Sequence, residues 1–262
     1  MNSMKQRIEV FYHYKDLLLQ LVEKDIKLKY RRSFLGYLWS ILNPLMVMVI
    51  MVIVFSNMFR FNIENFPVYL IIGQTCFTFL VESTNQAIWS ITGNAALLKK
   101  TYVPKYVFTL AKVTSSCVNL IFSLGAMIIV FIVCRVELSW RFLFIPFILL
   151  QLYLFSLGIG MLLAATNVFF RDIQYIYSAI TTAWMYLTPI FYPLSQLPEW
   201  LQWGIKHLNP MYSYVTQFRD VVLNGQMPGH SLLGMGVGAA LFALALGSFV
   251  FMRTKDKFIL YI

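Results

Sequence analysis

The sequence has 262 residues, 59% hydrophobic and 12% charged, with a formal net charge of +10 and a mean hydropathy of +0.69. Soluble domains average about 45–50% apolar and about 25% charged residues, so too few charges exist here to coat a water-soluble body of this size. The composition excludes a soluble globule and implies an integral membrane protein, its positive charge serving membrane-surface anchoring rather than nucleic acid.

Residues 8–30 predict a helix lying on the membrane. Phe11, Tyr14, Leu18, Val22 and Ile26 recur at spacings of three and four, while Asp16, Gln20, Glu23, Lys24 and Lys27 fall on the other side. An apolar stripe opposed by a basic face is the interfacial pattern. Lys27, Lys29, Arg31 and Arg32 then stand where this helix gives way to an apolar run. At headgroup level they can pair with phosphates while their stems stay in the interface. Tyr37 and Trp39 follow at the position of an aromatic belt, and Pro44 should kink the first span.

Long apolar runs, nearly free of charge, predict six transmembrane helices over 34–59, 66–90, 106–134, 142–168, 172–193 and 231–252. Each is near the roughly 20 residues that cross a bilayer, and helices satisfy their own backbone in lipid. Strand-like alternation is missing, which argues against a barrel. With the N-terminus inside, 16 of the 21 lysines and arginines fall on the inner side, so both termini are expected to be cytoplasmic. The first apolar run begins too late and runs too long for a secretory signal. Cys76, Cys117 and Cys134 lack metal spacing and read as small packing hydrophobes.

Within the second span, Glu82 is the single ionisable residue. A charge at mid-span costs roughly 3 kcal/mol on insertion scales, so Glu82 should face a wet cavity or bond to Ser83, Thr84, Asn85 or Gln86. One carboxylate is thin support for an ion-coupled pump. The short charged segment 96–108, with Pro104 inside it, reads equally as a turn or as a docking element for a cytosolic partner. Between Pro193 and His230 two apolar stripes at helical period predict two short amphipathic helices. Asn209 and Pro210 supply the cap and first position of the second, and Asn224-Gly225 its end. Trp184, Tyr186, Phe191 and Tyr192, with Trp200 and Trp203 beyond, gather aromatic rings toward the outer side. Such rings stack on sugar faces or form a lipid-facing belt.

Enzymatic chemistry is poorly represented. No GxxxxGK[ST] loop occurs, so ATP hydrolysis by that route is excluded. His13, His207 and His230 have neither metal spacing nor a serine elbow nearby.

The runs DLLLQLVEKDIKLKYRRSFLGYLWSILNPL, GNAALLKKTYVPKYVF, NVFFRDIQYIYSAITTAWMYLTPIFYPLSQLP and LNPMYSYVTQFRDVVLNG resemble, in order, the permease subunits of ABC-type polysaccharide and polyol-phosphate exporters, and most nearly the O-antigen export permeases. The resemblance implies one permease domain over residues 1–262 and an all-α integral membrane fold in the bacterial inner membrane. It implies a homodimer bound by two copies of a separate nucleotide-binding ATPase, which holds the ATP and Mg; this chain needs no cofactor. Leu97, Leu98, Lys99, Lys100, Thr101, Tyr102 and Val103 match the coupling helix (96–104), and residues 197–224 the periplasmic gate helices. The expected function is export of a lipid-linked polysaccharide. Lys27, Lys29, Arg31 and Arg32 would gather its phosphate headgroup, and the aromatic set, Tyr37 and Trp39 included, would line the channel or gate. Exporters of teichoic acid, capsule or a small lipid or drug share this architecture, and a membrane glycan-lipid enzyme is the reading from another class.

Overall fold

The computed structural model describes residues 14–31, 35–58, 63, 65–100 and 102–262. Among these residues all regular structure is helical. In chain order the main helices are α1 (Lys15–Tyr30), α2 (Trp39–Met58), α3 (Phe66–Ile88), α4 (Ala95–Lys100), α5 (Tyr106–Val133) and α6 (Ile145–Phe169). They continue with α7 (Ile173–Leu187), α8 (Glu199–Leu208), α9 (Pro210–Val222) and α10 (His230–Thr254). Among the described residues five helical stretches are long and apolar enough to cross a membrane: Gly36–Phe55, Phe66–Ile88, Tyr106–Val133, Trp140–Phe169 and His230–Tyr261. The chain is therefore a multi-pass membrane protein.

The expected fifth span differs. Its helix stops at Leu187 after 15 residues, about 22 Å at 1.5 Å per residue, instead of running to residue 193. Pro189 forces the break: a residue before proline is driven out of the α region, and Thr188 is extended at φ −93°, ψ 127°. The Thr188 hydroxyl turns back to the Trp184 carbonyl at 2.9 Å, closing the helix end. Similarly, α4 ends at Lys100; Tyr102, Val103 and Pro104 are not helical, again on the near side of a proline.

Two apolar cores fix the alternation of the long helices. One holds Phe66 to Leu80 of α3, Leu120 to Phe131 of α5, Ile148 to Phe155 of α6 and the buried face of α9. The other holds Leu21 and Val22 of α1, Leu98 of α4, Val107 and Phe108 of α5, Ala164 and Ala165 of α6, Phe251 of α10 and, just after it, Phe258. Helices α3, α6 and α10 thus descend from the first core to the second while α5 ascends. Helix α1, α4 and the residues after α10 share one end of the bundle; α9 sits at the other.

The α6–α10 seam is the closest packing. A Cβ on Gly247 would stand 2.9 Å from the Gly158 carbonyl carbon, so only glycine lets the two backbones meet there, as small residues do in membrane interfaces. By contrast, only 6% of the most apolar window of the first span is buried, against 67% for the second. The first span therefore turns most of its apolar surface outward.

Candidate functional site

A cleft of about 560 Å³ opens between α2, α3, α5 and the end of α7. Its floor is polar although its helices are apolar overall. Ser40 and Asn43 project from α2, Gln74, Thr75, Thr78 and Glu82 from α3, and Asn119 and Ser123 from α5. The α3 set recurs every three to four residues, which places it on one helical face. Buried polar atoms ordinarily find partners, yet Gln74 Oε1 and Thr75 Oγ1 have none. Both atoms are shielded within the wall, so the polar groups that the cleft presents to a hydrogen-bonding guest are those of exposed Asn43 and Thr78 and half-buried Ser40 and Ser123.

Glu82 closes the end of the cleft nearest α1. Its Oε1 accepts from Lys29 Nζ at 2.6 Å, from Asn119 Nδ2 at 2.7 Å and from Gln86 Nε2 at 3.3 Å. Of the neighbours that sequence offered, only Gln86 reaches it; Ser83 and Thr84 return their hydroxyls to the carbonyl of Leu80. The main partner, Lys29, arrives from α1, 53 residues away in sequence. A lysine paired with the carboxylate and a carboxamide beside it offset the cost of holding the charge there. Helix α1 is stapled a second time where Lys112 of α5 meets Asp25 at 2.8 Å, and its start is tied down where the Tyr14 hydroxyl donates to the Tyr102 carbonyl at 3.0 Å.

The other basic residues proposed for a headgroup lie apart from this cleft. Lys27 is solvent-exposed and bridges Glu23 at 2.5 Å, one turn back on α1; that hydrogen bond holds the Glu23 carboxyl below its ordinary range. Such an exposed pair contributes little to stability. Arg31 joins Lys24 and Lys27 along a surface groove on α1. Arg32 lies outside the described residues.

The aromatic set divides. Trp39 and Phe191 line the cleft, the latter buried and stacked on Phe55 at 5.4 Å. Tyr37 stacks on Phe122 of α5 at 5.7 Å. Trp184 packs edge-on against Phe77 and Phe155 and donates its indole N–H to Asn209 Oδ1 at 2.7 Å; it braces the α7–α9 junction. Tyr192 donates to the Tyr186 carbonyl at 2.6 Å, with the Tyr186 ring itself exposed. Trp200 and Trp203 stand out from α8, more than half exposed.

At the opposite end, Leu98 is buried in the second core while Leu97 is partly and Tyr102 fully exposed. Lys99 and Lys100 also point outward from α4, Val103 packs against the core, and Thr101 lies outside the described residues. Lys105, just beyond, donates to the Lys255 carbonyl and sits over the Phe258 ring. Burial there pushes its ammonium below the ordinary lysine value. Among the described residues no three His, Cys, Asp or Glu side chains gather as a metal would require.

Two residues escaped the sequence reading. Arg219, one of the five lysines and arginines that the charge count leaves on the outer side, is 6% exposed. Its guanidinium donates to the carbonyls of Tyr69 (2.9 Å), Pro189 (2.8 Å) and Ile190 (3.3 Å) and stacks on the Tyr69 ring 3.3 Å from its centroid. The helix break at Thr188–Pro189 frees two of the carbonyls that Arg219 collects, those of Pro189 and Ile190. Asn209 does more than cap: besides accepting from the Met211 amide at 3.1 Å and from Trp184, it donates to Thr188 Oγ1 at 3.0 Å.

The ABC-2 type transporter family matches residues 16–223. The chain is 30% identical over 252 residues to the O-antigen export system permease protein RfbA of Myxococcus xanthus, covering 96% of this chain and 97% of that one. It is also 30% identical over 258 residues to a permease of that name from Klebsiella pneumoniae, covering 98% of each. The polysialic acid transport protein KpsM of Escherichia coli shares 23% over 225 residues, covering 84% of this chain and 85% of that one. A multi-pass helical bundle and a family match over most of its length give one conclusion: the chain belongs to the membrane-protein family of ABC-2 type transporters.

Proposed function

We propose that this chain is the permease subunit of an ATP-driven exporter that moves lipid-linked polysaccharide, of the O-antigen type, out across the bacterial inner membrane. The observation that carries the reading is the cleft: hydroxyl and carboxamide side chains, Asn43, Thr78 and Ser123 among them, face an open space between the long helices. A polyhydroxyl cargo satisfies such groups, and Trp39 and Phe191 offer it ring surface. The names of the relatives support polysaccharide as the cargo class.

In this reading the α1–α4 end faces the cytoplasm with both termini. Two copies of a nucleotide-binding subunit, which hold ATP and Mg, seat against the coupling segment through Leu97, Lys99, Lys100 and Tyr102. The outward apolar face of the first span meets lipid or a second copy, giving a homodimer with six passes in each half. Lys27, Arg31 and Arg32 gather the phosphate headgroup at the inner surface. Helices α8 and α9 close the outer mouth, with the aromatic rings of Trp200 and Trp203 at the headgroup level. ATP can move cargo only by favouring one conformational state over another, and the coupling segment is where that bias enters.

The test is export of labelled lipid-linked glycan from vesicles holding the permease with its ATPase. Gln74→Leu combined with Thr78→Val should cut export at least tenfold with assembly intact. Undiminished export would remove the cleft from the path. Capsule polysaccharide is the second cargo reading, favoured by the KpsM likeness; competition between the two glycans for stimulation of ATP hydrolysis separates them.

A further inference from the structure

Behind the cleft lies a second cavity of about 700 Å³, between α1, the end of α3 and the start of α5. Lys24, Asp25 and Lys112 are in its wall, together with Trp89 and Asn94. The two cavities share Lys29 and Asn119, while Glu82 faces the first and Gln86 the second. These four side chains form the single bonded cluster described above, in which three donors converge on Glu82 Oε1. The hydrogen-bonded cluster therefore stands where the two cavities adjoin.

We propose that the Lys29–Glu82 pair, backed by Asn119 and Gln86, is the inner gate of the path, separating a vestibule beneath α1 from the intramembrane cleft. The inference rests on the reading of the cleft as the cargo route, but its geometry is independent of what the cargo is. Three features suit the cluster to this task. Glu82 is held by side chains on three separate helices, so a small displacement of α1 withdraws Lys29 and opens the wall. The lysine is long and its side chain 42% exposed, so it can swing toward the vestibule without unfolding a helix. The vestibule is net basic, with Lys24 and Lys112 against Asp25, so an anionic group entering it offers Lys29 a replacement for the carboxylate. Neither end of the pair is left bare in the open state: Glu82 keeps two carboxamide donors and Lys29 gains an oxyanion.

The gate is testable without any cargo. In full-length protein with Cys76, Cys117 and Cys134 replaced by alanine, Thr78→Cys places a reporter thiol in the cleft wall. Membrane vesicles of either sidedness, containing the complex with its ATPase, are treated with a charged, membrane-impermeant maleimide. With the pair intact, labelling from the α1 side should be slow. Glu82→Gln, and separately Lys29→Gln, should each speed it at least tenfold, with the rate from the other side unchanged. Equal rates from the α1 side in the parent and in both variants would overturn the gate. Glycan export is measured on matched vesicles that hold the unsubstituted chain with its ATPase. Absence of export alongside gate-dependent labelling would defeat the exporter reading and leave the gate standing, whereas export with labelling indifferent to both variants would do the reverse.

Discussion

Replacing Gly158 by alanine tests the packing on which the bundle depends. The added Cβ would stand 2.5 Å from the Ala243 carbonyl oxygen and closer still to the neighbouring backbone atoms, whereas ordinary contact begins at 3.4 Å. The obstacles are backbone atoms of α10, so no rotamer change relieves the overlap, and α6 and α10 must separate by about 1 Å, in the range that overpacked cores show. A gap of that size forfeits roughly a quarter to a half of the contact energy along the seam. The expected cost is about 3 kcal/mol, the upper part of the overpacking range. Gly238→Ala is the control: it lies on α10, nothing stands within 4 Å of its Cβ, and a helix-favouring methyl there should be neutral or stabilise by up to about 1 kcal/mol. Unfolding of both variants by SDS titration, followed by circular dichroism, compares them directly. Equal stability for Gly158→Ala and Gly238→Ala would refute the close-approach reasoning.

Other sites give distinct expectations. Arg219→Met leaves buried carbonyls at Pro189 and Ile190 without their charged donor and should destabilise by about 2 kcal/mol in the same titration, with Arg219→Lys intermediate because an ammonium lacks the planar fork. Asn209→Ala removes a helix cap and the anchor of Trp184; a loss of about 2 kcal/mol is expected, with a change in tryptophan fluorescence reporting the freed indole. Leu97→Asp, on the outward side of α4, should weaken co-purification with the ATPase and leave the melting profile intact. Leu98→Asp, in the second core, should abolish folded protein in the membrane; similar behaviour of the two would contradict the assigned faces.

Much of the architecture was legible because its causes are local. Five spans are written as long apolar runs broken by few charges, and Asn209-Pro210 reads as a helix start because cap chemistry sits within two residues. The early end of α7 also had a local cause in Pro189, but hydropathy alone carried the apolar run across it. What stayed hidden depends on residues far apart in sequence. Glu82 announced that it needed a partner, yet no local pattern selects Lys29 on a surface helix 53 positions earlier. Arg219 was counted with the loop charges because a count of lysines and arginines assumes that each reaches water; here carbonyls exposed by a proline break take the place of water. The aromatic cluster was visible as composition, but its division into cleft-lining and bracing rings follows from tertiary packing.

The most direct test of the account is uphill export in sealed proteoliposomes containing purified chain, lipid-linked glycan and ATP, with and without the nucleotide-binding subunit. Glycan should reach the far side only when that subunit is present and able to hydrolyse ATP. Export sustained by this polypeptide alone would contradict the account.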